Sequence, residues 1–358
     1  MPAGIGSTDL AQYWTAARLF ADGANPFDAQ LVAQVQSGLP GVPKFPILMW
    51  NPPWILPLIW PLALVSFKSA VAACFVFSLI LILIAFKIEL SFSSAYWASR
   101  NSKIIFLLFL LSFHAWRDAL FYGQISPLML LGLCVFMREL RLDFNTRFSC
   151  LYAGLGLALT LIKPHALFLI YIYIFFESTR QRSIRQACFI CLAIIALLVC
   201  CAALWQPQIL SFYFKAWQVP PIYWKTPTLG SWLQGWSGIH QLWMRLLPTA
   251  LAGLLCAALC LFCKIKFSDI YSLLPLSLLL SPYTWGYDHL LLLPSCLYVL
   301  NLALHASKTK RWRAIFIMGA LVGANLLIAF APGIDSMEQL VWYPALVFIL
   351  VQFSKSLG

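Results

Sequence analysis

"GLGLALTLIKPHALFLIYIYIFF", residues 154–176, is an almost unbroken apolar run interrupted by Lys163 and Pro164. Apolar stretches of this length belong in a lipid bilayer and not in a soluble core. Proline removes a backbone donor and pushes the residue before it out of the helical region, so the stretch reads as two apolar runs, 148–162 and 164–177, joined by a turn at Lys163–Pro164. The lysine has two readings. It snorkels toward a membrane surface along its aliphatic stem, or it is an intramembrane cation kept for a function, with a phosphate headgroup as its partner.

The rest of the chain has the same character. Of 358 residues 62% are hydrophobic and 10% charged, and the mean hydropathy is +0.84. A soluble domain cannot hide that much apolar surface, which makes this an all-α polytopic membrane protein. The abundance of Trp, Tyr and Phe suits a chain with two membrane–water interfaces. Further apolar runs fall at 47–66, 69–86, 104–114, 125–137, 186–205, 246–263, 268–282, 288–305, 313–331 and 339–353. With no internal repeat and no low-complexity linker, residues 1–358 are expected to form a single domain.

Cation placement sets the expected topology. Lys87, Arg100 and Lys103 share one connection, Arg138, Arg141 and Arg147 another, and Arg180, Arg182 and Arg185 a third. Lys264 and Lys266 follow, then Lys308, Lys310, Arg311 and Arg313, and finally Lys355. By the positive-inside tendency these connections and the C-terminus are cytoplasmic. The net charge of +12 is then a topogenic signal and no nucleic-acid patch. The opposite face holds a first exported loop (1–46), residues 115–125, the Lys163–Pro164 turn, a large exported loop (206–245), 281–287 and 332–338.

In "NPPWILPLIWPLALVSF" (51–67), Pro52, Pro53, Pro57 and Pro61 break helical hydrogen bonding. Residues 47–66 are therefore expected to be a broken, re-entrant or surface-lying segment, leaving about eleven full spans. An exported N-terminal loop with no helix before it is awkward for insertion, and the reading is that a first transmembrane helix is missing.

Eleven cysteines lie in or beside apolar runs, so no disulfide framework is expected. Cys188 and Cys191 form a C-x-x-C inside "ACFICLAIIALLVCC", which reads as a lipid-facing helix surface. No P-loop, G-x-S-x-G, H-E-x-x-H or zinc spacing is present.

Three polar clusters fall on the expected outer face. In "TDLAQYWTAARLFADGANPFDAQ" (8–30), Asp9 is either the N-cap of an amphipathic helix or a general base for a hydroxyl nucleophile, and Tyr13 lies one turn on. In "HAWRDALFYGQISP" (114–127), Arg117 and Asp118 form either a solvated pair or part of a site, and Gly123–Gln124 start the next helix. In "SPYTWGYDHLLLLP" (281–294), Trp285, Asp288 and His289 either cap a span or face a chamber. The exported loop 206–245 mixes Trp and Tyr with Lys215 and Lys225. That is the composition of an interfacial belt, and equally of a surface that stacks on sugars and meets phosphate.

Taken in order, "DLAQYWTAARLFADGANPFD", "NPPWILPLIWPLALVSF", "GQISPLMLLG", "GLGLALTLIKPHAL" and "SPYTWGYDHLLLLP" resemble the polyprenol-phosphate-dependent membrane glycosyltransferases of family 87. That family includes the mannosyltransferase of mycobacterial phosphatidylinositol mannoside synthesis. The resemblance implies a GT-C-type fold in the inner (plasma) membrane, with the site open to the periplasmic or extracellular side. It implies inverting transfer of a hexose, mannose first, from a polyprenyl-phosphate sugar to a lipid or glycan acceptor. By position Asp9 matches the catalytic acidic residue, and Lys163 and His289 match positions near the donor phosphate. Arg117 is added on physical grounds as a third phosphate-binding cation. Tyr13, Asn51, Gln124, Trp285 and Asp288 are expected to line the substrate cavity. No metal or cofactor is expected, since a single acid stands where a D-x-D motif has two, and the partners are membrane lipids and not nucleic acid. The rival reading is a multispanning transporter or flippase for a lipid-linked or small polar substrate, because broken helices and intramembrane charges also mark substrate pathways.

Overall fold

The computed structural model describes residues 9–40, 42, 45–93, 99–263, 265–330 and 337–357, with side chains omitted at 337 and 338. Residues 1–8, 41, 43 and 44 of the first exported loop, Lys264 of the cytoplasmic set, and 331–336 of the last outer segment lie outside the described residues. Every described element is helical.

Among the described residues six helices are long and apolar enough to cross a membrane: Phe67–Ser91, Arg100–Tyr122, Arg182–Trp205, Leu242–Phe262, Gly286–Leu304 and Lys308–Phe330. A seventh counts if the bent pair Ser149–Thr160 and Pro164–Arg180 is one span. The expected total of about eleven is not reached on this criterion. The runs at 125–137, 268–282 and 339–353 become the helices Ser126–Arg141, Phe267–Leu280 and Gln339–Lys355. At ~1.5 Å per residue these fall short of a hydrocarbon core ~30 Å thick. Leu204, Phe262, Trp312 and Phe330 stand largely exposed on the long helices. Side chains of that kind suit lipid contact and not water.

The Lys163–Pro164 turn is a sharp one: the two helices flanking it meet at 117°. Lys163 (φ −131°, ψ 76°) lies outside the helical region, which proline disfavours for the residue before it, and Pro164 opens the next helical turn. The proline-rich segment makes no full span, as expected, but forms one short helix, Pro53–Leu64, whose turns change type at Pro53–Ile55, Leu56–Ile59 and Trp60–Leu64. Its role is visible in two hydrogen bonds. Asn51 Nδ2 donates to Ile162 O at 3.0 Å and Trp54 Nε1 donates to Leu161 O at 3.2 Å. These side chains satisfy carbonyls that the bend at 161–163 has released from helical bonding.

On the other side of the bend, Ser126–Arg141 packs along Ser149–Thr160, which also packs on Arg182–Trp205. Gly132 and Gly156 let the first two backbones touch. A Cβ on Gly156 would lie 2.5 Å from Gly132 O, and one on Gly132 would lie 2.4 Å from Gly156 O. Close approach through small residues is how helices associate in lipid, where burial from water supplies no drive. Segment 206–245, expected as a large exported loop, is no open loop: it folds into the helices Ile209–Trp217 and Leu229–Ser237.

Candidate active site

Four helix interruptions converge, and the polar side chains gather where they meet. The first is the start of Leu10–Ala21, where the backbone N–H of Asp9 donates to Tyr122 O at 3.0 Å. The second is the break after His114–Tyr122. There Gly123, at φ +68°, adopts the left-handed conformation that glycine takes without strain, and turns the chain so that Gln124 faces inward. The third is the bend carrying Lys163, and the fourth is the tight turn Gly286–Leu292 carrying Asp288.

Asp9 stands at the N-cap position but its side chain makes no capping hydrogen bond. Its Oδ2 instead accepts from Gln124 Nε2 at 2.6 Å. Asp28, by contrast, caps Ala29–Gln36 in the ordinary way, accepting from Gln30 and Leu31. Gln124 Oε1 accepts from Tyr13 Oη and from Lys163 Nζ, both at 3.1 Å. Two donors on that oxygen fix which way the amide points. Lys163 Nζ donates to Asp288 Oδ1 at 2.8 Å and lies 4.7 Å from the centre of the Tyr287 ring. Ser126 Oγ donates to the same Asp288 oxygen at 2.6 Å, while Asp288 Oδ2 accepts the Trp285 backbone N–H at 3.0 Å. Asp288 thus caps its turn and pairs with the lysine at once. The sequence offered capping a span and facing a chamber as alternatives.

Burial pushes the Asp9 carboxyl above the usual carboxylate range, and the Gln124 hydrogen bond and the Lys163 charge only partly oppose it. The centre holds two carboxylates and one ammonium, and the ammonium is already matched to Asp288. Chemically this is a half-buried carboxyl held by an amide, beside an ammonium already paired with Asp288.

The structure thus brings together Asp9, Tyr13, Gln124, Lys163 and Asp288 of the expected residues. Asn51 braces the Lys163 bend from outside the cluster, and Trp285 borders it with a half-buried ring 6.2 Å from Tyr287. Two expected phosphate ligands are elsewhere. His289 is fully buried and faces away, with Nδ1 3.4 Å from His114 Nε2 and its ring 5.5 Å from Tyr343. Successive residues on a three-residue turn point about 120° apart, so the turn that aims Asp288 at Lys163 aims His289 elsewhere. Arg117 makes no hydrogen bond or ion pair with Asp9, Lys163 or Asp288 among the described residues, and its Nε has no partner.

Ser126 and Tyr287 belong to the cluster and were not singled out in the sequence, although each lies in a quoted motif beside a singled-out residue. Trp224, half-buried, was also missed. Its ring meets Trp50, Tyr283 and Trp285 at 5.9, 6.2 and 5.5 Å. Among the described residues no group of three His, Cys, Asp or Glu side chains is arranged to hold a metal.

A family model described as Glycosyltransferase family 87 matches residues 50–282. The matched stretch contains Asn51, Gln124 and Lys163, while Asp9, Trp285 and Asp288 lie beyond its ends. No curated protein and no solved structure matches the chain.

Proposed function

This chain belongs to glycosyltransferase family 87, and we propose that it moves a hexose, mannose first, from a polyprenyl-phosphate sugar to a lipid or glycan acceptor. The transfer takes place on the outer face of the plasma membrane, with inversion at the anomeric carbon. The observation that carries the reading is the side chain of Asp9. It is half-buried, does not cap its own helix, and is held by Gln124 beside Lys163.

In this reading Asp9 takes the proton of the acceptor hydroxyl, and the freed oxygen attacks the anomeric carbon. The bond from that carbon to the phosphate oxygen breaks, and polyprenyl phosphate departs as an anion that needs no proton. Lys163 swings part-way from Asp288 toward the phosphate and stabilises the growing charge. Asp288 keeps the ammonium in place when the site is empty, and Gln124 couples the base to the lysine. The half-buried rings of Trp285 and Trp224 border this cluster and offer faces for the sugar.

The test is release of polyprenyl phosphate by purified protein given polyprenyl-phosphate mannose, glucose or arabinose together with host membrane lipids. Release by the wild type that Asp9→Asn reduces by roughly 10²–10⁴-fold supports both the reaction and the base. No release from any donor by folded protein overturns the reading in favour of a transporter.

A further inference from the structure

Two Lys or Arg side chains are buried among the described residues, Lys163 and Arg245. Lys163 has Asp288. Arg245, in the first turn of Leu242–Phe262 and only 1% exposed, forms no ion pair. Its Nε donates to Gln234 Oε1 at 2.9 Å, and its Nη2 donates to Ser231 Oγ at 3.1 Å and to the Trp224 carbonyl. All three acceptors are neutral. Its Nη1 is buried with no partner. The guanidinium lies 4.5 Å from the centre of the Tyr283 ring, and Tyr283 Oη is likewise buried without a partner.

A guanidinium taken out of water without a counter-charge is costly, and two orphan donors side by side add to the cost. An anion with several acceptor oxygens relieves both, and a phosphate suits the fork of an arginine better than any other common group. The position is also right. Arg245 holds the Trp224 carbonyl, the Trp224 ring touches Trp285, and the Trp285 N–H binds Asp288. Gly230 seats this arrangement, since a Cβ there would lie 2.3 Å from Arg245 O.

We propose that Arg245 and Tyr283 form an anion site that receives the phosphate of the polyprenyl-phosphate substrate and product. This rests on the donor class proposed above. It gives the lipid phosphate a cation that is not already engaged, and it leaves Lys163 to act on the bond that breaks.

The experiment measures binding of geranylgeranyl phosphate and of neutral geranylgeraniol to the full chain in nanodiscs. Wild type should prefer the phosphate by about 10–100-fold, the value of one or two charge-assisted hydrogen bonds. Arg245→Gln should lose that preference and keep its affinity for the alcohol, Arg245→Lys should keep part of it, and Gly319→Ala, remote from the site with open space for a Cβ, all of it. A full preference retained by folded Arg245→Gln overturns the anion site while the glycosyltransferase reading stands; Arg245 is then a strut for Trp224. If Arg245→Gln does not fold, Arg245→Lys decides, because an undiminished preference there also overturns the site. A wild type that does not distinguish phosphate from alcohol overturns the site and the polyprenyl-phosphate donor together.

Discussion

Asp9, the base we propose, sits in an environment that resists its charge. Because burial raises its pKa, a larger share of it is protonated at a given acidic pH than of an ordinary aspartate, and a protonated carboxyl cannot accept the hydroxyl proton. Transfer should therefore rise with pH through an acid limb above the ordinary carboxylate range, and be lost as pH falls through it. A pH profile of kcat/KM reads this directly, and a limb near pH 4 or below would contradict it. Gln124 carries the coupling, so Gln124→Leu, similar in size but without donor or acceptor, should lower kcat on the order of 10²-fold with little change in fold. Lys163 differs, because its loss leaves Asp288 buried with no cation. Lys163→Met is expected to cost about 3–5 kcal/mol in thermal unfolding, and adding Asp288→Asn should restore part of the stability and none of the activity.

Among the elements, the pair Ser126–Arg141 and Ser149–Thr160 holds the site's geometry, because one begins at Ser126 and the other leads into the Lys163 bend. The Gly132–Gly156 contact sets their separation. Gly156→Ala should force the backbones apart, at a cost of about 1–3 kcal/mol for overpacking, and displace Lys163 enough to reduce transfer. Gly319→Ala in Arg311–Phe330, where an added Cβ meets nothing within 4 Å, should leave both stability and transfer unchanged. Equal effects from the two substitutions would remove the role given to the glycine contact. The proline-rich segment acts at this scale too: its helical turns are too short to span, and their product is a pair of side chains, Asn51 and Trp54, set against the carbonyls of the bend.

For the molecule as a whole, the site and the anion pocket are linked through Trp224 and Trp285, at helix interruptions and not along the long spans. Exposed Trp232 and Trp236, stacked 6.1 Å apart, suit a membrane–water interface on the same segment, 206–245, as Trp224. From the cation distribution we propose that the C-terminus is cytoplasmic. A C-terminal fusion to green fluorescent protein should therefore fluoresce, and a fusion to alkaline phosphatase should be inactive. The opposite result would invert the topology and move the proposed chemistry to the inner leaflet.

Membrane residence, the bend at Lys163–Pro164, the failure of 47–66 to make a full span and the order of motifs that marks the family were all legible in the residues, because each depends on composition or on proline and glycine acting locally. So was the membership of Asp9, Tyr13, Gln124, Lys163 and Asp288 in one set, through motif order. The tertiary structure decided what no local rule contains. It chose between Asp9 as cap and Asp9 as partner of Gln124, turned His289 toward His114 and away from Lys163, and left Arg117 outside the cluster. It also buried Arg245 without an acid. Each outcome depends on the rotational phase of a helix or turn against neighbours on other elements of the chain. That phase is set by packing, and a single chain of letters does not record it.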